Sequence, residues 1–258
     1  MEIVASTITN FMADYLLPFM RISGLFAAMV GFSAKTIPTP IRSLLAVLLT
    51  LMIVPNIPPV PVQDLVNLGS FVLGIKQLII GIVIGFISMM VLNTFVLAGQ
   101  IIAMQTGLGF ASIVDPVNGI SVPAVGQFYL ILATLLFWTF DGHLSMIQMI
   151  VMSFKAFPID APWWTGEQFR LVAHWGGWMF VSAVTMSLAP IVSLLIVNLA
   201  FGVMTKAAPQ LNIFSLGFSI AQITGLLIIY ITLSNQTYHF EQQWQRAQEF
   251  MCKLLLTC

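Results

Sequence analysis

Few residues in this chain have the chemistry to do work, and they fall in a small number of places. Asp115 lies within GLGFASIVDPVNGISVP, crowded by Gly107, Gly109, Pro116, Gly119 and Pro123. A carboxylate inside a long apolar stretch needs a reason, because placing a charge at membrane depth costs about 2.5–3.5 kcal/mol on insertion scales. Irregular backbone at that depth is tolerated only inside protein or against a water-filled cavity, so a gate, a plug or a binding site is one reading. A plain turn is the other, since Asp and Asn bond their own backbone and Pro fixes its torsion. Ser112 near Asp115 is the nearest approach to a nucleophile with a partner, and no nucleophile elbow, phosphate-cradling glycine loop or HExxH helix accompanies it. Asp141 and His143 share a DGH step without a further ligand at helical spacing, so no metal site is expected. Cys252 and Cys258 suit neither a disulfide framework nor a zinc site and are expected to be unpaired thiols. These residues do not describe an enzyme, and they call for no cofactor.

A second group lies in FGVMTKAAPQLNIFSLGF, which puts Lys206, Gln210 and Asn212 between apolar runs. It reads either as a helix-hairpin tip that meets a partner or as an ordinary loop with a snorkelling lysine. The 15 methionines, Met89, Met90, Met104, Met146, Met149 and Met152 among them, can form a deformable seal or simple apolar packing. Asn93, Gln100, Gln105, Asn198 and Gln222, with Gly81, Gly85, Ala98 and Gly99 nearby, imply close helix–helix contact within the chain or between subunits.

The elements that must position these residues are helices. Of 258 residues, 59% are hydrophobic and 7% charged, against about 25% charged in a soluble domain. Most of the surface therefore meets lipid or other protein. The net charge is zero, which leaves no basic face for nucleic acid. The N-terminus carries Glu2 and no cleavable signal pattern, so its first apolar stretch is expected to be retained. Residues 77–114 carry no charge; as one helix they would run about 57 Å, almost twice the roughly 30 Å hydrocarbon thickness. Such a run must project beyond the bilayer or turn back, and the glycines around Asp115 mark where it turns. Residues 43–54 form a short apolar run that ends in VPNIPPVPV. Residues 124–157 form another, interrupted at DGH. The connector FPIDAPWWTGEQF, with Trp163 and Trp164, reads as an interfacial loop. Residues 171–205 and 207–240 flank Lys206, and the tail FEQQWQRAQEFMCKLLL has the spacing of an amphipathic helix. About six apolar helical regions and no alternating strand pattern make this an all-α, polytopic membrane-type protein.

Three stretches, MQTGLGFASIVDPVNGISVP, LLFWTFDGHLSMI and NLAFGVMTKAAPQLNIFSLGF, resemble in order and spacing the diagnostic segments of the FliR family of flagellar type III export-gate proteins. The resemblance covers essentially the whole chain. It implies kinked helical hairpins in two parts, a FliP-like part over 1–160 and a FliQ-like part over 161–258. It implies FliP and FliQ subunits and FlhB as partners, unfolded flagellar proteins as cargo, and a place in the flagellar basal body at the bacterial inner membrane, with part of the assembly on the periplasmic side. It also implies that loop 105–122 helps to plug the closed pore. That role would fall on Gly107, Gly109, Phe110, Ile113, Asp115, Pro116 and Gly119. Lys206, Pro209, Gln210, Asn212 and Phe214 would lie in the hairpin region that makes subunit contacts.

Two other readings remain open on the residues. One is the matching subunit of a virulence-type III injectisome. The other is an ion-coupled secondary transporter, whose broken helices would place Asp115 or Asp141 at a mid-membrane site.

Overall fold

A computed structural model describes residues 2–34, 37–57, 68–114, 121–162, 164–207 and 213–255. The elements in order are α1 (Glu2–Ala28), α2 (Thr39–Ile53), α3 (Leu68–Gln105), β1 (Ser112–Val114), β2 (Ser121–Pro123), α4 (Ala124–Thr139), α5 (Gly142–Ala156), α6 (Gly166–Ala207), α7 (Ile213–Thr232) and α8 (Asn235–Leu255). The helical class is as the sequence requires. The short antiparallel ribbon β1–β2 is an addition, three residues a side, too short for an alternating pattern to register. Charge-free length also proved a poor guide to helix limits: the run over 207–240 breaks between α7 and α8, where Leu233 N donates to Tyr230 O.

Among the described residues three segments are long and apolar enough to cross a membrane: Thr39–Asn56, Gly69–Gln105 and Gly166–Ala207; α4 with α5 qualifies as a broken fourth. The 38 residues of α3 and 42 of α6 correspond to about 57 and 63 Å at 1.5 Å per residue. Both exceed the bilayer core. Much of α3 is nonetheless interior, since 61% of its most apolar 18-residue stretch is buried, against 33% of the corresponding stretch of α6 and 17% for the first segment.

The chain forms two compact units, one from 1–90, 141–175 and 245–258, the other from 91–140 and 176–244. In the first, glycines allow α1 and α3 to touch through their backbones. A methyl group on Gly81 would overlap the Arg21 carbonyl and lie 2.9 Å from Leu25 N; one on Gly85 would lie 2.8 Å from Leu25 O. This is small-residue packing of the membrane kind, and it matches the reading of Gly81 and Gly85. Ala46, Thr50 and Ile53 form the narrow buried seam of α2, which packs on α1.

Arg21 is the largest fully buried side chain of the described residues. Its Nε donates to Gln77 Oε1 at 2.6 Å, Nη1 to Ser153 O at 2.9 Å and Oγ at 3.1 Å, and Nη2 to Phe157 O at 2.8 Å. The guanidinium also lies 4.2 Å from the Phe154 ring centre. Those carbonyls stand at the C-terminal end of α5, where the helix dipole favours a cation. Gln77 Nε2 donates to Ile159 O at 3.3 Å and Lys76 Nζ donates to Ala161 O. Three polar side chains of α1 and α3 thus hold the connector after α5 by its backbone. Trp164 is buried between Phe157 and Phe169, so its ring serves packing instead of the interfacial position expected of it. Trp163 lies outside the described residues.

In the second unit Phe95, Phe137, Phe140, Phe240 and Trp244 make an aromatic core, with Phe137 edge-on to Trp244 at 5.2 Å and Phe140 stacked on Phe240 at 5.8 Å. The amphipathic tail is confirmed: Phe240, Trp244, Ala247, Met251 and Leu254 are buried at helical spacing along α8. Cys252 is disulfide-bonded, correcting the expectation of a free thiol.

Candidate functional site: the loop between α3 and α4

The loop begins where α3 is made to stop. Thr106 N still donates to Ile102 O at 3.0 Å, and Gly107 then takes φ 74°, ψ 1°. That left-handed conformation suits glycine and ends the helix. A single 3-10 turn, Leu108–Phe110, follows, closed by Ala111 N donating to Leu108 O at 3.1 Å. The ribbon comes next, with Ser112 opposite Pro123, Ile113 opposite Val122 and Val114 opposite Ser121. Ala124 N donates to Ala111 O at 2.8 Å and closes the ribbon's base, after which Pro123 caps α4. Proline is well placed there, because it starts a helix without needing a donor.

The apolar side chains of this loop face outward. Phe110 is 96% exposed, Met104 76% and Ile113 50%, whereas Val122 is 3% exposed. A phenylalanine left in water forgoes about 1.5–3 kcal/mol of burial energy. An outward Phe–Met–Ile group on a short connection therefore wants a covering surface. No charged side chain is among the described loop residues, which offer apolar contact.

Of the residues singled out from sequence, Gly107, Gly109, Phe110 and Ile113 share this one connection. Gly109 does not have a positive φ, and a methyl group there would meet only ordinary contacts, 3.5 Å from Met104. Asp115, Pro116 and Gly119 lie outside the described residues, as do Pro209, Gln210 and Asn212. Lys206 stands exposed in the last turn of α6, where the helix dipole favours a cation. Phe214 belongs to α7. Asn93 and Asn198 are exposed on the chain, so any partners their amides have lie outside the protomer's core. Among the described residues no group of three His, Cys, Asp or Glu could hold a metal.

Two residues were missed. Thr106 is fully buried beside the helix stop, and Gly225 of α7 sits against it. A lone glycine in an apolar run such as AQITGLLIIY was the available signal. The loop's other stem is held by Gly99 and Gly126; a methyl on Gly99 would lie 2.8 Å from Gly126 Cα.

Comparison with known proteins adds a family to this geometry. The family model "Bacterial export proteins, family 1" matches residues 12–247. The flagellar biosynthetic protein FliR of Pectobacterium carotovorum subsp. carotovorum is 34% identical over 224 residues, covering 87% of this chain and 85% of the relative. That of Escherichia coli (strain K12) is 33% identical, covering 83% and 82%. That of Bacillus subtilis (strain 168) is 27% identical over 89% of both chains.

Proposed function

Since the chain belongs to the bacterial export proteins of family 1, with the flagellar FliR proteins as its relatives, we propose that it forms and seals part of the channel through which unfolded flagellar proteins cross the inner membrane. As a family member it is a structural, non-catalytic membrane component of the flagellar export apparatus. The finer reading gives loop 105–122 the role of a plug. Phe110 and Ile113 supply the apolar seal, Gly107 and Gly109 the backbone freedom, and Asp115, Pro116 and Gly119 complete the loop. The observation that carries this is the 96% exposed Phe110 between two helix ends, an apolar group presented outward with nothing of its own chain to cover it.

The same reading divides the chain into a FliP-like part over 1–160 and a FliQ-like part over 161–258. FliP, FliQ and FlhB are its partners, and Lys206, Pro209, Gln210, Asn212 and Phe214 lie on the contacting hairpin. Helices about 57 and 63 Å long support a body that stands partly out of the bilayer, on the periplasmic side of the flagellar basal body. Deleting residues 107–119 in cells that assemble the complex tests the plug. Resting conductance to ions and small molecules should rise; normal assembly with unchanged conductance would refute the plug.

A further inference from the structure

We propose that Gly225 of α7 is a positioning residue for the sealing loop, acting through Thr106 at the end of α3. The inference rests on the plug reading for its consequence, though not for its geometry. Thr106 is 0% exposed, and its Oγ1 donates to Ala103 O at 3.0 Å. Its Cγ2 methyl faces Gly225: a Cβ added to the glycine would overlap Cγ2 and lie 2.9 Å from Thr106 Cβ. Turning the threonine does not relieve this, because Cβ is itself in the way and rotation breaks the bond to Ala103. β-Branched side chains are in any case stiff at this torsion.

The seat lies one residue before the turn that aims the loop. Gly107, with φ 74°, sets the direction in which the backbone leaves the helix, so a shift of Thr106 is passed directly into the loop. The opposite stem is fixed differently. Gly99 and Gly126 join α3 to α4, the two helices that the loop itself connects, and Val122 in β2 is buried. The Thr106–Gly225 contact instead joins the loop's base to a helix far along the chain. Displacement of α7, by cargo or by a neighbouring subunit, is thereby coupled to a loop whose exposed residues, Phe110 and Ile113, lie between two seated stems.

The test uses the assembled export complex with a Ser112→Cys reporter, labelled by a membrane-impermeant maleimide, and resting ion conductance as a second readout. Gly225→Ala should change the labelling rate about tenfold, the scale of effect that overpacking a tight seam produces, and raise conductance. Adding Thr106→Ser, which removes the overlapping methyl and keeps the hydroxyl but leaves the 2.9 Å contact with Cβ, should bring both part of the way back. Should Gly225→Ala fail to assemble, Thr106→Ala alone, which vacates the seat, should produce the same change in labelling. An unchanged labelling rate in an assembled Gly225→Ala complex overturns the proposal, and so does failure of Thr106→Ser to rescue. If labelling responds as expected while deletion of residues 107–119 leaves conductance unaltered, the seat stands and the sealing role of the loop falls.

Discussion

Single residues set the sharp features of this chain. Gly107 and Gly109 look alike in sequence, yet only Gly107 occupies a conformation that an L side chain resists, at about 1–2 kcal/mol. Phe110 has no cover within its own chain, so its contribution lies in what it meets. Arg21 is the opposite case, a buried cation with four of its N–H donors spent inside. Arg21→Ala would remove four hydrogen bonds and take the guanidinium donor from Gln77 Oε1 and the Phe157 carbonyl, while Ser153 O would keep its bond from Phe157 N. Breaking a buried polar network of this kind costs about 3–5 kcal/mol. The expected result is loss of the protein from the membrane fraction in a quantitative blot, with Arg21→Lys intermediate because a lysine cannot reproduce the fork. Wild-type levels of Arg21→Ala would show that the connector holds without it.

At the scale of elements, α3 combines two roles that its uniform apolarity conceals. Its first half packs against α1 through Gly81 and Gly85, and its last turn launches the loop. Glycine in a helix interior ordinarily costs about 0.5–1 kcal/mol relative to alanine, so glycine→alanine should stabilise where there is room. Gly69 has nothing within 4 Å of an added Cβ, whereas at Gly81 the obstacle is backbone, which cannot swing aside. Gly81→Ala should therefore lower the thermal midpoint of the detergent-solubilised complex, by about 1–3 kcal/mol of stability. Gly69→Ala should leave it level or slightly raised. Equal behaviour of the two variants would remove the α1–α3 seam from the account. The element that sequence did not reveal, the β1–β2 ribbon, is visible only as a pairing of residues seven or more apart, which no local pattern encodes.

For the whole molecule, the outward surface is the main fact. The Thr39–Asn56 segment is 17% buried, and along α6 Val184, Leu188, Leu195 and Leu199 are all exposed. Apolar area on this scale exceeds what a soluble monomer carries and calls for lipid or neighbouring subunits. Purified alone in detergent, the chain should aggregate or sediment as a mixture, and it should become monodisperse when co-produced with its export-apparatus partners. A stable monomer that binds a small solute would instead support a transporter, as would coupling of that binding to an ion gradient.

Sequence by itself determined the class of solvent, the helical class and the family. A charge content of 7% excludes a water-covered surface, and three spaced segments carry the likeness to the export proteins. It also marked the place where a long apolar run must break, since glycine and proline announce backbone geometry locally. Tertiary structure decided what each residue at the break touches. Whether Gly107 or Gly109 needs to be glycine depends on the φ adopted, and whether Trp164 lies at an interface or in a core depends on Phe157 and Phe169. That Thr106 rests on Gly225 depends on two helices meeting from opposite parts of the chain. The loop around Asp115 thus entered as a place of possible chemistry and emerges, in its described residues, as an apolar projection held at both stems. Contacts between distant residues are chosen by packing, and packing is a property of the folded whole.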